Sequence, residues 1–283
     1  MTFDSQSAKP KLSACLVIKT EELVLRRCLE SLRGVVDEIV VVHDGPPADR
    51  SIDIAKEFGA KTFVRNFVGE AEPHRPFSFE QATGDWILQI DADEFLSAEA
   101  RESIQELVKA SEVDAYSLWW PLFYKGHYLA SGHYSKLYKQ CLFRKSKLYM
   151  VGIVHEFPRT YGISKDIKVL LEHRHLYDNW SLKTIKDKWL KWAKLQASGT
   201  KYLEEASVYN ITSVRNNAAF SALKIKRSYP LVSLIVEITR IVGINVRDGL
   251  FWSDLANWKI MFSDLLNSLF LHWYLIIPSQ TRS

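Results

Sequence analysis

The sequence predicts a doubly wound, mostly parallel α/β sheet followed by a helical C-terminal extension. Three observations carry this expectation. Strand-length apolar runs alternate with amphipathic helical segments through the first 96 residues, Gly, Pro and Asp mark the switches, and strand alternation is absent after Tyr202. Residues 12–18 are an apolar run read as the first strand. In residues 21–33, Leu25, Leu29 and Leu32 recur at helical spacing, and Gly34 closes the helix. Residues 38–42 form a second apolar strand, and Asp44-Gly45-Pro46-Pro47 supplies turn chemistry. Residues 49–58 place Ile52, Ala55 and Phe58 on one helical face before Gly59, and residues 61–65 give a third strand. Residues 66–82 contain Gly69, Pro73 and Pro76 with little periodicity, so they read as a loop over the sheet rim. A turn at Gly84 leads into a fourth strand, 86–90, apolar at four positions in five and therefore covered on both faces. Parallel strands joined by helices at this spacing imply right-handed crossovers.

The fourth strand runs directly into Asp91-Ala92-Asp93-Glu94. In an open α/β sheet, ligands sit at the carboxyl ends of the strands, which is where these acids fall. On extended backbone Asp91 and Asp93 point the same way, and two close carboxylates repel unless a cation lies between them. Oxygen ligands suit Mg²⁺ or Mn²⁺. With 15 Asp in 283 residues, one Asp-x-Asp is expected by chance, and the acids also suit the first turn of a helix capped by Ser97. Asp44 leaves the second strand at the same rim, so three carboxylates from distant sequence converge there. Neither Gly-x-Gly-x-x-Gly nor Gly-x-x-x-x-Gly-Lys-Ser/Thr occurs, so a nucleotide bound at this rim needs a metal to hold its phosphates.

Composition excludes several classes. Hydrophobic content of 47% with 25% charged residues is ordinary for a globular chain. Cys15, Cys28 and Cys141 show neither metal spacing nor a disulfide framework, which points to a reducing, cytoplasmic location. The polar tail 1–11 has no apolar signal core, so secretion is not expected. The net charge of +4 divides unevenly: residues 1–110 hold 13 Lys/Arg against 20 Asp/Glu, and residues 111–283 hold 24 against 13. The basic second part suits an anionic surface or substrate, and no nucleic-acid motif accompanies it.

Further along, Arg75 is either a solvated surface arginine or a fork of donors that reaches a diphosphate. Residues 115–122 form an aromatic-rich strand, where Trp119 and Trp120 either join the core or stack on a sugar. Residues 141–145 give another strand, ahead of the His155-Glu156 pair. Residues 181–197 form a helix with Leu182, Ile185, Trp189, Trp192 and Gln196 on one stripe and five lysines around it. Such a helix either meets an anionic bilayer or packs on the domain with a solvated basic face. The apolar stretches 231–246 and 265–277 are interrupted by polar residues and fall short of the ~20 apolar residues of a membrane span, so any attachment is expected to be interfacial.

Several motifs, in the same order and with similar gaps, resemble the family 2 glycosyltransferases of GT-A (Rossmann-like) fold. They are Leu16-Val17-Ile18-Lys19-Thr20-Glu21-Glu22, Arg27-Cys28-Leu29-Glu30-Ser31-Leu32, the run from Asp37 to Gly45, Ala82-Thr83-Gly84-Asp85-Trp86 and Asp91-Ala92-Asp93-Glu94. The resemblance implies that a nucleotide-sugar donor contacts Ile18, Thr20, Glu21, Asp44, Arg75, Asp91, Ala92 and Asp93, with Asp44 on the base and Asp91 and Asp93 on a divalent metal. The Val154-His155-Glu156 segment after a Leu-Phe-Arg strand resembles the lipopolysaccharide-core branch. That likeness implies Glu156 as catalytic base, with His155 and His175 joining Asp91 and Asp93 near the metal, and His173 competing with His175. The chain departs from the family at Thr20-Glu21 and at Pro46-Pro47, around the base pocket.

The expected organisation is a GT-A domain over 12–180, with a nucleotide-sugar half to residue 96 and an acceptor half beyond it, then a helical region 181–283. The expected activity is metal-dependent, inverting transfer to a hydroxyl of a glycolipid or glycan precursor at the cytoplasmic membrane face. A non-catalytic sugar- or lipid-binding scaffold is the alternative. A nucleotidyltransferase would carry a Gly-rich loop after the first strand, and Lys19-Thr20-Glu21-Glu22 has no glycine.

Overall fold

The computed structural model describes residues 9–110, 112–175, 181–201, 208–210, 218–253 and 255–277. Most of the polar tail (1–8) and the stretch 202–207 lie outside the described residues. The first half follows the expected alternation: β1 (Leu12–Ile18), α1 (Glu22–Leu32), β2 (Glu38–Asp44), α2 (Ser51–Glu57) and β3 (Lys61–Arg65). The expected loop 66–82 is instead half helical. A 3₁₀ turn (Glu72–His74) runs into α3 (Arg75–Gln81), where Pro73 and Pro76 occupy first-turn positions that require no donated N–H. Then come β4 (Trp86–Gln89), β5 (Glu94–Leu96) and α4 (Ala98–Leu107), and the Ser97 hydroxyl caps α4 by accepting the Ala100 N–H at 3.1 Å.

β6 (Ala115–Trp119) stops short of the expected residue 122, and a small hairpin of β7 (Phe123–Tyr124) and β8 (His127–Tyr128) follows. β9 (Tyr138–Arg144) begins three residues earlier than expected, and β10 (Leu148–Val151), β11 (Arg159–Thr160) and β12 (Ser164–His173) complete this part. The main sheet has eight strands in the order β3-β2-β1-β4-β9-β6-β12-β5. β1 to β4 run parallel, β9 is antiparallel to both β4 and β6, and β12 is parallel to β6. The carboxyl ends of β1, β2, β4, β6 and β12 therefore share one rim, together with the start of β9. This is the fold class expected.

Both faces are covered. Leu12, Leu16, Trp86 and Leu88 meet Leu25, Leu29 and Leu32 of α1 on one side, while Cys15, Val40 and Ile87 meet Phe79 of α3 on the other. Gly84 sits where β4 enters beside β1. A side chain there would lie 2.6 Å from the Ser13 hydroxyl and 2.9 Å from the Lys11 carbonyl, and the Gly84 N–H donates to that hydroxyl at 2.9 Å.

After β12 the chain forms α5 (Leu182–Thr184), a wide π-turn (Ile185–Trp189), α6 (Leu190–Lys201), β13 (Val208–Tyr209), α7 (Ala218–Ser228), α8 (Pro230–Arg247) and α9 (Leu255–Ile276). These helices share a core with the acceptor half, where Leu122, Tyr134, Trp189, Ile241, Ile260 and Met261 form one cluster. Polar staples reinforce it: Tyr134 Oη donates to Asp264 at 2.6 Å, and His133 Nδ1 lies 2.9 Å from Asp248. Residues 182–201 take the packed alternative, with Trp189 buried and Lys191 paired to Glu70 at 3.0 Å. No single helix among the described residues is long and apolar enough to cross a membrane, although the bent pair Ser221–Ser228 and Pro230–Arg247 passes on length and composition together.

Candidate active site

A cleft of about 710 Å³ opens at the carboxyl rim. Its floor is the turn after β4. The chain does not continue extended there: the Glu94 N–H closes back on the Asp91 carbonyl at 3.0 Å. That turn ends the two-residue alternation, so Asp91 and Asp93 have different partners. Arg75 donates to Asp91 Oδ1 at 2.7 Å, and Lys139 Nζ donates to Asp91 Oδ2 at 2.8 Å. Lys139 also reaches both oxygens of Glu94 at 2.7 Å. Lys139, Arg75 and Glu94 are all buried, so the wall is a compact network of two cations and two carboxylates. Burial works against the Asp91 charge, but Arg75 and Lys139 outweigh it and hold the carboxyl well below the usual range. Burial likewise disfavours the Lys139 ammonium, yet Asp91 and Glu94 keep it charged above its ordinary value.

Asp93 faces two histidines instead. Its Oδ2 lies 3.3 Å from His173 Nε2 and 3.7 Å from His175 Nδ1, and one ligand atom from each of the three lies within 4.8 Å of the others. β12 makes this possible, because alternation puts Val169, Leu171 and His173 inward together and His175 continues the phase. Trp120 stacks on His173 at 4.6 Å and 11°, which fixes the plane of the imidazole. Burial opposes the Asp93 charge, and the adjacent imidazoles of His173 and His175 overcome it, holding this acid far below the normal carboxylate range. Burial lowers the His175 value, which favours the neutral, ligating form. The donor set suits a divalent cation, with its two imidazoles fitting Mn²⁺ better than Mg²⁺.

Among the other expected donor residues, Thr20 and Glu21 line the opposite wall, and Ala92 lies at the cleft beside Asp93. Burial raises the Glu21 carboxyl. Two of the expected donor residues lie outside this lining. Ile18 is buried in β1 outside the cleft lining. Asp44 is enclosed: its carboxylate accepts the Val68 and Gly69 N–H groups at 2.6 and 2.7 Å and lies 2.9 Å from His74 Nε2. It secures the 66–69 loop and does not line the cleft, because that loop folds back over the end of β2.

The second cluster also divides. His155 lines the cleft in the left-handed region (φ 64°), its N–H donates to Glu72 at 3.2 Å, and its ring meets Trp192 edge-on at 4.8 Å. It is not part of the Asp93 group, where His173 takes the place expected for it. Glu156 is not among the cleft-lining residues, although His155 and Phe157 on either side of it are; burial raises its carboxyl, with Lys226, Arg159, Glu237 and Glu72 in electrostatic reach.

Lys139, Glu94, Glu70, Glu72, Lys188 and Trp192 were not anticipated. Alternation gave no signal for Lys139, because the pairing of β9 with β6 shifts register between Tyr116 and Ser117 and Cys141 and Phe143 enter different core clusters.

Fold and cleft together define the class: a doubly wound α/β protein with a carboxylate- and histidine-lined ligand site at the carboxyl rim. The glycosyl transferase family 2 model matches residues 13–167, more than half of the chain, and the protein belongs to that family. Similar curated proteins include the uncharacterized glycosyltransferase RT0209 of Rickettsia typhi, 34% identical over 106 residues, 38% of this chain and 36% of that one. The lipopolysaccharide core biosynthesis glycosyltransferase LpsC of Rhizobium meliloti is 32% identical over 117 residues, 37% of this chain and 39% of that one. The matched segment thus spans little more than a third of these relatives. Among solved structures, S. aureus TarS aligns with a TM-score of 0.46 at 11% identity, covering 89% of this chain and 54% of that one. Glucosyl-3-phosphoglycerate synthase from Mycobacterium tuberculosis aligns with a TM-score of 0.44 at 14% identity, covering 68% and 79%.

Proposed function

We propose that the protein transfers a sugar from a nucleotide-sugar donor to a hydroxyl of a glycan or glycolipid, with inversion and with a divalent cation at Asp93, His173 and His175. The observation that carries this is the cleft's charge. Glu21, Glu70, Glu72, Asp91 and Asp93 line it against Arg75, Lys139 and Lys188, a formal surplus of two negative charges with histidines neutral. An incoming diphosphate meets repulsion there unless a cation accompanies it. Bound at the Asp93 group, such a cation supplies positive charge to the departing diphosphate.

In this reading, Arg75 and Lys139 neutralise Asp91 and hold the floor rigid. Trp120 and Trp192 give the cleft apolar surface that excludes water. The acceptor hydroxyl attacks the anomeric carbon from the face opposite the diphosphate, the bond to the phosphate oxygen breaks, and a carboxylate takes the hydroxyl proton. Glu72, already lining the cleft and held to the His155 backbone, fits that role better than Glu156, which is outside the cleft lining. A scaffold that binds sugar without transfer is the second reading, favoured by the enclosure of Asp44.

Calorimetric titration with a panel of nucleoside diphosphate sugars, with and without Mn²⁺, separates the two. Donor binding only with metal is expected, and Asp93→Ala or His173→Ala should weaken Mn²⁺ binding more than about 100-fold, beyond the usual cost of an outer-shell change. Asp91→Asn should retain most of the metal affinity. Absence of metal-linked donor binding in the unmodified protein refutes the proposal. Turnover that survives Glu72→Gln but not Glu156→Gln would return the base role to Glu156.

A further inference from the structure

The C-terminal helices carry an apolar surface that transfer does not use. On α8, Ile241 and Asn245 are buried, while Val232, Ile235, Val236, Val242 and Val246 are exposed on the outer side. α9 repeats the pattern: Ile260, Leu271 and Leu275 lie inside, and Leu255, Phe262, Leu269, Trp273 and Ile276 lie outside. His272 Nε2 lies 3.2 Å from the Ser233 hydroxyl, which sets the start of α8 against the end of α9. There Leu190, Leu234, Leu269 and Trp273 line a shallow groove that joins the two helices. The turn between them adds Phe251 and Trp252, the latter 91% exposed. Scattered exposed apolar residues are ordinary, but a surface continuous along two helices and their turn marks an interaction site.

Charge selects the occupant. Among the described residues of 218–277, every exposed charged side chain is basic: Lys224, Arg227, Arg240, Arg247 and Lys259. The acids are half-buried and engaged. Glu237 lies 3.6 Å from Lys226, Asp248 lies beside His133 and Arg247, and Asp264 accepts from Tyr134. A second copy docked on this face would bring like charges together, whereas anionic headgroups complement them. Tryptophans and basic residues around an apolar stripe are the composition that settles at the headgroup boundary.

We infer that α8, α9 and their connecting turn lie in the plane of an anionic phospholipid bilayer, with Ile235, Trp252, Phe262 and Trp273 inserted at the headgroup–acyl boundary. The site differs from the lysine-rich helix that the sequence singles out, whose Lys188 and Lys191 are directed at the cleft and at Glu70. It stands independently of the reaction assigned above.

The test is co-sedimentation of the full chain with phosphatidylcholine vesicles, with and without phosphatidylglycerol. Binding that requires the anionic lipid and weakens with salt is expected. The surface variants Ile235→Glu with Trp273→Glu, and Trp252→Glu with Phe262→Glu, should each lower partitioning at least about tenfold. Thermal melting and metal-linked donor binding of the same variants should match the unmodified protein, which keeps a failure here distinct from a failure of the transferase reading. Equal binding to neutral vesicles, or unchanged binding by both variants, overturns the inference. So does a protein that ignores vesicles and self-associates through this face, shown by sedimentation without lipid and abolished by the same substitutions.

Discussion

Lys139→Met tests whether the cleft floor is built as described. The substitution keeps the length and apolar stem of the side chain but removes the ammonium that bonds Asp91 at 2.8 Å and both oxygens of Glu94 at 2.7 Å. Asp91 retains Arg75 at 2.7 Å, so the main loss falls on Glu94, which is 0% exposed. Removing one partner of a buried pair strands the other charge, at a cost of about 3–5 kcal/mol. Adding Glu94→Gln removes the stranded charge while keeping an oxygen to accept the Asp91 N–H, now 2.9 Å from Glu94 Oε2. The double variant should therefore recover to within about 1–2 kcal/mol of the unmodified protein. Urea denaturation of the parent, both single variants and the double variant closes the cycle. A Lys139→Met loss below about 1 kcal/mol, as expected of a surface pair, refutes the buried network. A double variant no more stable than Lys139→Met alone does so too.

Gly84→Ala places a methyl against the Ser13 backbone N at 2.8 Å and the Lys11 carbonyl at 2.9 Å, so β4 must shift from β1. A loss of about 1–3 kcal/mol by chemical denaturation is expected, and a neutral result would remove the close-approach argument. Asp264 gives a pH signature. Burial raises its pKa to about 6 against the hydrogen bond from Tyr134, so the folded state holds its proton more tightly than the unfolded chain does. Its contribution is fully present below pH 4 and is lost as pH rises through about 6, a change of about 3 kcal/mol for a two-unit shift. Asp264→Asn should flatten that part of the stability–pH curve, and an unchanged curve in the variant would refute the assignment.

Much of this molecule was legible in its residues. Apolar runs, helical spacing and turn chemistry set the first four strands and the helices α1 and α2, because each is a local consequence of side-chain periodicity. The acidic stretch after β4 located the site, and Ser97 capped its helix as read. The rim departs from the expected extended backbone. A turn hydrogen bond between residues three apart separates Asp91 from Asp93, and spacing alone does not reveal it. Loop closure over Asp44 is likewise set by packing of distant segments.

The sequence by itself determined the family, the α/β sheet and which edge of it carries the candidate site. Only the tertiary structure decided which charges meet there. Strand order sets β9 beside β4 and β12 beside β5, the strand that follows the acidic turn, so Lys139 neutralises one aspartate and His173 and His175 flank the other. The physical reason is that a carboxylate's role follows from its nearest partners within a few ångströms, and at this rim those partners lie 16 and 48 residues away for Asp91 and some 80 for Asp93.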